Sequence, residues 1–225
     1  MHHRQLCLDT ETTGLHWETG HRIIEIGIIE LVGRQRTGND YHVYINPQRS
    51  VDESAIAVHG ITNEFLDDKP TFREVSDGLL DYLSDAELII HNAGFDLGFL
   101  NMEFSRLKVA GDIDLADGRV ITDTLQVAKR KHVGKKNNLD ALCSRYGIDS
   151  SSRVHHGALL DADLLASVYL SMSRTQHALG LVGDNLVDTQ PDPCDIDTSE
   201  LRVVSASESE LAIHHAFTER YLSDG

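Results

Sequence analysis

The stretch Ile23–Val32, Ile-Ile-Glu-Ile-Gly-Ile-Ile-Glu-Leu-Val, is the strongest constraint in the chain. Its β-branched residues fit a pleated surface, and it is long enough for a full strand. Gln5–Asp9 before it is short and apolar and ends on a carboxylate; Thr10–Gly20 between them is a turn-rich loop. Tyr41–Ile45 follows the turn signal Thr37-Gly38-Asn39-Asp40. Three strands with short links predict an antiparallel meander.

Past residue 70 the period changes. Thr71 is a candidate N-cap, and Phe72, Val75, Leu79, Leu80 and Leu83 recur at helical spacing. Glu87–His91 reads as a short buried strand. Phe95–Leu107 is amphipathic, with Phe95, Phe99, Met102 and Leu107 as candidate core residues. Val120–Asp123 is a candidate last strand, followed by helices over Thr124–Lys131, Asn138–Tyr146 (ended by Gly147) and Gly157–Met172. A meander followed by alternating helices and strands makes the fold class α/β: one mixed sheet, antiparallel then parallel, flanked by helices.

The length of 225 residues allows one domain of ordinary size with about forty residues left over. The boundaries fall as a main domain over 1–175, a short peptide 176–181, a linker 182–200 rich in Asp, Thr and Pro, and a tail 201–225. In the tail, Leu201-Arg202-Val203-Val204 is strand-like and Ser209–Leu222 can form one amphipathic helix. A segment this short has no core of its own, so it is either disordered or completed by a partner. No run of eighteen apolar residues exists, and Met1–Arg4 leads directly into the first strand without a signal peptide. Cys7, Cys143 and Cys194 are odd in number and far apart; Cys7 and Cys143 read as small core residues, and a reducing cytoplasm is the expected location.

The formal charge is −16. Residues 182–225 hold ten Asp/Glu against Arg202 and Arg220, a net −8, which leaves −8 for residues 1–181. A free-standing nucleic-acid binder usually needs a basic face, and the total argues against one. The balance changes if four of those carboxylates surround two divalent cations. Lys129-Arg130-Lys131-His132 with Lys135-Lys136 is the only dense basic run, either a path for a nucleic-acid strand or a solvated helix end.

Asp9 and Glu11 alternate with Thr10 and so share one side of the first strand. Close carboxylates repel, and one takes up a proton unless a cation lies between them; a hard divalent ion is the natural solution. Asp96 opens a helix directly after the strand ending His91-Asn92, near the sheet edge where open α/β sheets build sites, although a first-turn Asp also suits the helix dipole. Asp161 falls on the apolar side of the helix presenting Leu160, Leu164, Val168 and Met172, where a carboxylate needs compensation. His156 precedes that helix and can reach over the site. Asp123 reads as a fold-supporting hydrogen-bond acceptor rather than a ligand.

Asp9-Thr10-Glu11-Thr12-Thr13-Gly14, Val58-His59-Gly60-Ile61, His91–Asp96 and His156–Ala162 together resemble the motifs of the DEDDh exonuclease family. The resemblance covers roughly residues 4–172 and implies a ribonuclease H-like fold. Within the family the likeness is to the bacterial epsilon subunits, the proofreading exonucleases of DNA polymerase III. Asn138–Cys143, Tyr146–Asp149 and Leu201–Val204 extend it. It implies that Asp9, Glu11, Asp96 and Asp161 hold two divalent cations, Mg²⁺ or Mn²⁺, with Asp96 acting more on the second. His156 is then the general base, because it and not His155 has the four-residue gap before Asp161. Two ions about 4 Å apart activate water and stabilise the leaving 3′ oxygen, and a histidine can take the proton near neutral pH.

Thr10, Thr12, Leu15 and His59 are candidates for holding the terminal nucleotide, beside Asp9, Glu11 and Asp161; the alternative for His59 is a loop histidine bonded to nearby backbone. Phe95 reads as core rather than a stacking platform. The implied partners are the single-stranded 3′ end of a DNA primer, the polymerase (alpha) subunit through the tail at Leu201 and Val203, a small theta-like subunit, and the sliding clamp. Gln176, Leu179 and Leu181 resemble the glutamine-led clamp peptides but lack the last aromatic, so clamp binding is expected to be weak. No membrane association is expected. Two competing readings are an RNA-trimming exonuclease and a tether between polymerase and clamp that has lost catalysis.

Overall fold

The computed structural model describes residues 4–107, 113–151, 153 and 155–173. They lie within Met1–Gln176, the first of two units into which the chain divides. The assignments for Gln176, Leu179, Leu181, Leu201, Val203 and Cys194 fall outside the described residues.

β1 (Arg4–Thr12) pairs antiparallel with β2 (Ile23–Val32). The outer edge of β2 carries the two-residue β3 (Gln35–Arg36) at one end and β4 (Tyr41–Tyr44) at the other, both antiparallel. On the opposite side β1 runs parallel with β5 (Glu87–Ile90), and β5 with β6 (Ile121–Asp123). The predicted meander and the predicted parallel strands therefore form one six-stranded mixed sheet. β1 is longer than the sequence suggested: pairing with β2 carries it through Thr12, so Asp9 and Glu11 are both strand residues.

Seven α-helices flank the sheet among the described residues. α1 (Glu53–His59) and α2 (Asn63–Leu66) were not legible as helices, because segments this short carry too few apolar repeats to show a period. His59, expected in a loop, is the last residue of α1. α3 (Phe72–Leu83) starts at Thr71, where Glu74 accepts the Thr71 backbone N–H at 2.7 Å. α4 is Ala93–Arg106 and α5 is Thr124–Lys131, the latter capped by the Asp123 carboxylate, which accepts from Leu125 N at 2.9 Å. α6 (Leu139–Tyr146) is capped by Asn138 and ends at Gly147, whose φ of 66° suits a residue without Cβ. α7 is Ala158–Met172.

Strand alternation divides the core in two. Leu6 and Leu8 of β1, Leu88 and Ile90 of β5, and Ile26 and Ile28 of β2 pack with Phe72, Leu79, Phe99 and Phe104 from α3 and α4. Cys7, Ile29, Leu31 and Ile89 point the other way, onto Ala128, Leu142, Leu165 and Val168 from α5, α6 and α7. Cys7 and Cys143 are fully buried, as the sequence suggested. Each large apolar side chain buried in this way is worth about 1.5–3 kcal/mol.

One buried ion pair ties the two halves of the fold. Arg22 donates through Nε and Nη2 to the two oxygens of Glu103 on α4, both at 2.6 Å, and Glu103 also accepts the Ile23 N–H. The Glu103 side chain is 1% exposed. Removing one partner of such a pair strands the other without compensation. Glu103→Ala is therefore expected to lower unfolding stability by about 3 kcal/mol, read as a shifted urea midpoint with unchanged slope.

Candidate active site

The parity of β1 places the first three functional groups. Asp9 and Glu11 follow Cys7 onto the face covered by α7, while Thr10 follows Leu8 onto the α4 face. Thr10 donates its hydroxyl to Asp96 Oδ1 at 2.7 Å. Asp96 lies in the first turn of α4, which is entered through Asn92 at φ 70°, a left-handed conformation that Asn tolerates better than most residues. Asn92 N donates to Asp123, so that carboxylate supports the turn beside the site, as expected for it.

α7 brings the fourth carboxylate. Its first turn lies directly on β2: a Cβ on Gly27 would come within 2.2 Å of Leu159 N. Glu25, two residues earlier on the same face, is 2% exposed, accepts the Ala158 N–H at 3.1 Å and contacts His42 Nε2 at 2.7 Å. Together they fix the start of α7, and Asp161 one turn on is 2% exposed. The sequence reading passed over Glu25 and Gly27 as residues of a strand. The signal was present as a carboxylate and a glycine on an otherwise apolar run.

Asp9, Glu11, Asp96, Asp161 and His156 all line one cavity of about 280 Å³ at the C-terminal ends of β1 and β5. Glu11, His156 and Asp161 each offer a ligand atom within 4.8 Å of the others. His156 is exposed, and its Nδ1 is 3.4 Å from Asp161 Oδ2. His155 does not line this cavity. Burial first, then the Asp96, Asp161 and Glu11 charges, pushes Asp9 well above the usual carboxylate range. Burial and the Asp161, Glu25 and Asp96 charges raise Glu11 to about 8. Burial raises Asp96 to about 7, against the hydrogen bond from Thr10. Hard oxygen donors held together against repulsion fit divalent cations, which would be held by these four carboxylates.

A second cavity of about 350 Å³ adjoins the first, sharing Thr10, Glu11 and Phe95 with it. Thr12, Leu15 and His59 line it, and Leu15 stands 73% exposed at its rim. His59 is buried, and its Nδ1 accepts from Ile61 N at 3.0 Å, so it bonds nearby backbone while lining the cavity. Phe95, expected in the core, is half-buried: it packs beside Phe99 with ring centroids 5.0 Å apart and also walls both cavities.

Sequence reasoning missed Arg153, which has no apolar pattern around it and lies between two elements. Its side chain is 7% exposed. It donates to Asp161 through Nε at 2.5 Å and Nη2 at 2.7 Å, and it also reaches Asp140 and His156.

The raised carboxylates have a definite sign for stability. Their folded pKa values lie above the unfolded ones, so their contribution is full below about pH 4 and is lost as pH rises through 7 and 8. Chelator-treated protein is expected to melt at falling temperature between pH 5 and 9, and Mn²⁺ should flatten that slope. Glu11→Gln should raise the melting temperature of the chelated protein at pH 8; a lower value would contradict the repulsion.

The family model described as Exonuclease matches residues 6–169. DNA polymerase III subunit epsilon of Escherichia coli K12 is 50% identical over 224 residues, covering 95% of this chain and 91% of that protein. The Haemophilus influenzae protein of the same name is 55% identical over 181 residues, 78% of this chain and 70% of the relative. Among solved structures, the nuclease domain of 3′hExo, a DEDDh family member bound to rAMP, superposes with a TM-score of 0.65 at 19% identity, covering 76% of this chain and 92% of that one. Exonuclease X in complex with 5′ overhanging duplex DNA gives 0.57 at 24% identity, over 75% and 89%. The fold is thus the ribonuclease H-like one expected, and the chain belongs to the exonuclease family, with epsilon subunits of DNA polymerase III as its relatives.

Proposed function

We propose that this exonuclease proofreads a replicative DNA polymerase, removing mispaired nucleotides as 5′-dNMP from the 3′ end of the primer. The observation that carries the reading is the convergence of four carboxylates and His156 on one cavity next to a nucleotide-sized pocket. The names of the relatives support the polymerase assignment. Asp9, Glu11, Asp96 and Asp161 would hold two divalent cations, Mg²⁺ or Mn²⁺. When bound, such ions supply a hydroxide-like nucleophile and stabilise charge on the leaving 3′ oxygen.

The chain's own residues position and exchange protons around that chemistry. Leu15 and Phe95 offer apolar surface to the terminal base, and His59, lining the same cavity, offers a polar contact to the nucleotide. His156, at the open side of the cavity, accepts the proton of the attacking water. Thr10 orients Asp96 rather than spending its hydroxyl on substrate. A third cavity of about 530 Å³, lined by Lys129, Val133 and Lys135, meets the carboxylate cavity at His91, Asn92 and Asn138. It meets that cavity at residues other than Thr10, Glu11 and Phe95, where the nucleotide pocket does, so it offers a path for the strand upstream of the cleaved bond. The basic run is divided by the fold: Lys131 donates to the Met172 carbonyl and His132 contacts Tyr146, while Lys129 and Lys135 line the path.

Selection of mismatches follows from fraying, because an unpaired end reaches the cavity as single strand at lower cost. The acidic segment 182–225 adds nothing to DNA affinity, and the polymerase subunit and clamp would supply it. Contacts with alpha at Leu201 and Val203, with the clamp at Gln176, Leu179 and Leu181, and with a theta-like subunit belong to this proposal. Among the described residues no helix is long and apolar enough to cross a membrane.

A primer-degradation assay on paired and mispaired ends, DNA and RNA, with and without chelator, tests the reading. Mispaired DNA ends should be excised faster and chelator should stop the reaction; preference for RNA ends would replace the proofreading role with RNA trimming. Asp9→Ala should abolish excision with folding retained, and His156→Ala should lower kcat by about 10²–10⁴-fold. If wild-type chain with Mn²⁺ leaves mispaired primers intact yet binds polymerase, it is a tether. Replacing Lys129 and Lys135 by Gln should raise KM for oligonucleotides and reduce the salt dependence of binding by about 0.7 per cation.

A further inference from the structure

Arg153 occupies both oxygens of Asp161 and the Nδ1 of His156, groups on which the proposed reaction draws. Its Nε and Nη2 take both oxygens of Asp161, at 2.5 and 2.7 Å. The second hydrogen of Nη2 points to His156 Nδ1, 2.8 Å away. Nη1 donates to Asp140, whose side chain is 60% exposed. A guanidinium is always a donor, so Nδ1 of His156 must accept. A neutral imidazole whose Nδ1 accepts carries its proton on Nε2. In this arrangement His156 has no free lone pair with which to take a proton, and Asp161 presents its oxygens to an organic cation.

We propose that Arg153 is a positioning residue with two seats, competing with divalent cations for Asp161 and releasing His156 when it withdraws to Asp140. The inference rests on the two-cation exonuclease reading above. A metal ion and the guanidinium compete for the same two oxygens, and bidentate charge-assisted pairs of this kind are the strong ones. Asp140 holds Arg153 by a separate amino group and keeps it at the cavity wall after Asp161 is given up. One side chain thus couples loading of the carboxylates to the arming of the base. The clamp also offsets the Asp161 charge at the crowded end of β1, where the Arg153 charge lowers the pKa values of Asp9 and Glu11.

Titration of the full chain with Mn²⁺ alone, followed by calorimetry, tests the competition without reference to activity. Arg153→Met keeps the stem and loses the charge; Arg153→Lys keeps the charge and loses the fork. Both should bind Mn²⁺ about tenfold more tightly than wild type, a difference of about 1.4 kcal/mol. In chelator, Arg153→Met should melt below wild type, with the gap closing on Mn²⁺ addition. The tautomer supplies an independent readout: in ¹⁵N-histidine spectra of the wild type in chelator, His156 should show an accepting Nδ1 and a protonated Nε2. Mg²⁺ alone should move it out of that single form, and Arg153→Met should do so without Mg²⁺. Equal Mn²⁺ affinity in all three proteins, or a His156 signal indifferent to Arg153, overturns the proposal. A Lys variant that matches wild type reduces the effect to charge and overturns the fork. Failure of wild type to bind Mn²⁺ at all would instead overturn the two-cation reading beneath it.

Discussion

Mutual repulsion among Asp9, Glu11, Asp96 and Asp161 is the constraint around which the domain is organised. Four acidic side chains converge where two of them are almost wholly removed from water. Left to itself this would open the structure or protonate the cluster; burial, joined at Glu11 by the Asp161, Glu25 and Asp96 charges, draws Glu11 to about 8 and Asp96 to about 7. The scaffold holds against that force with elements that do not bend. β1 is buried between two neighbours, α7 is seated on β2 through Gly27 and Glu25, and α4 is tied to β2 by the Arg22–Glu103 pair. Preorganised charge of this kind costs stability, and the two apolar cores supply it.

The division of labour along β1 explains how one strand serves both sides of the reaction centre. Odd-numbered Asp9 and Glu11 face the helix that brings Asp161 and the approach of His156. Even-numbered Thr10 turns to α4 and orients Asp96. Since β1 and β5 are parallel, their carboxyl ends coincide, and the cavity opens between them with further hollows on either side. These hollows share residues with the carboxylate cavity, so the three form one continuous depression along the sheet edge.

Much of this was legible in the sequence. Ile23–Val32 has the same limits in the structure as in the reading, and α3, α5 and α6 begin at Thr71, Asp123 and Asn138, where side-chain oxygens meet the first backbone N–H groups. The four carboxylates and His156 were named from motifs, and they share one cavity. What escaped has physical reasons. α1 and α2 are too short to show a period, and their stability comes from Val51, Ile61 and Leu66 packing on Ile24. Arg153 carries no mark of its role, because an arginine between two elements is ordinary; only its bidentate approach to Asp161 distinguishes it. Phe95 fits a helical apolar pattern, but being near the helix start it lies where the core meets the cavity.

The sheet also ends abruptly at both margins. β6 has three residues and passes at once into α5, while the far side of β2 is covered by a two-residue and a four-residue strand. Such margins give an incoming strand almost no backbone to copy. The described domain is accordingly a poor template for aggregation. Among the described residues, any contact with another chain falls to helices and loops rather than to extension of the sheet.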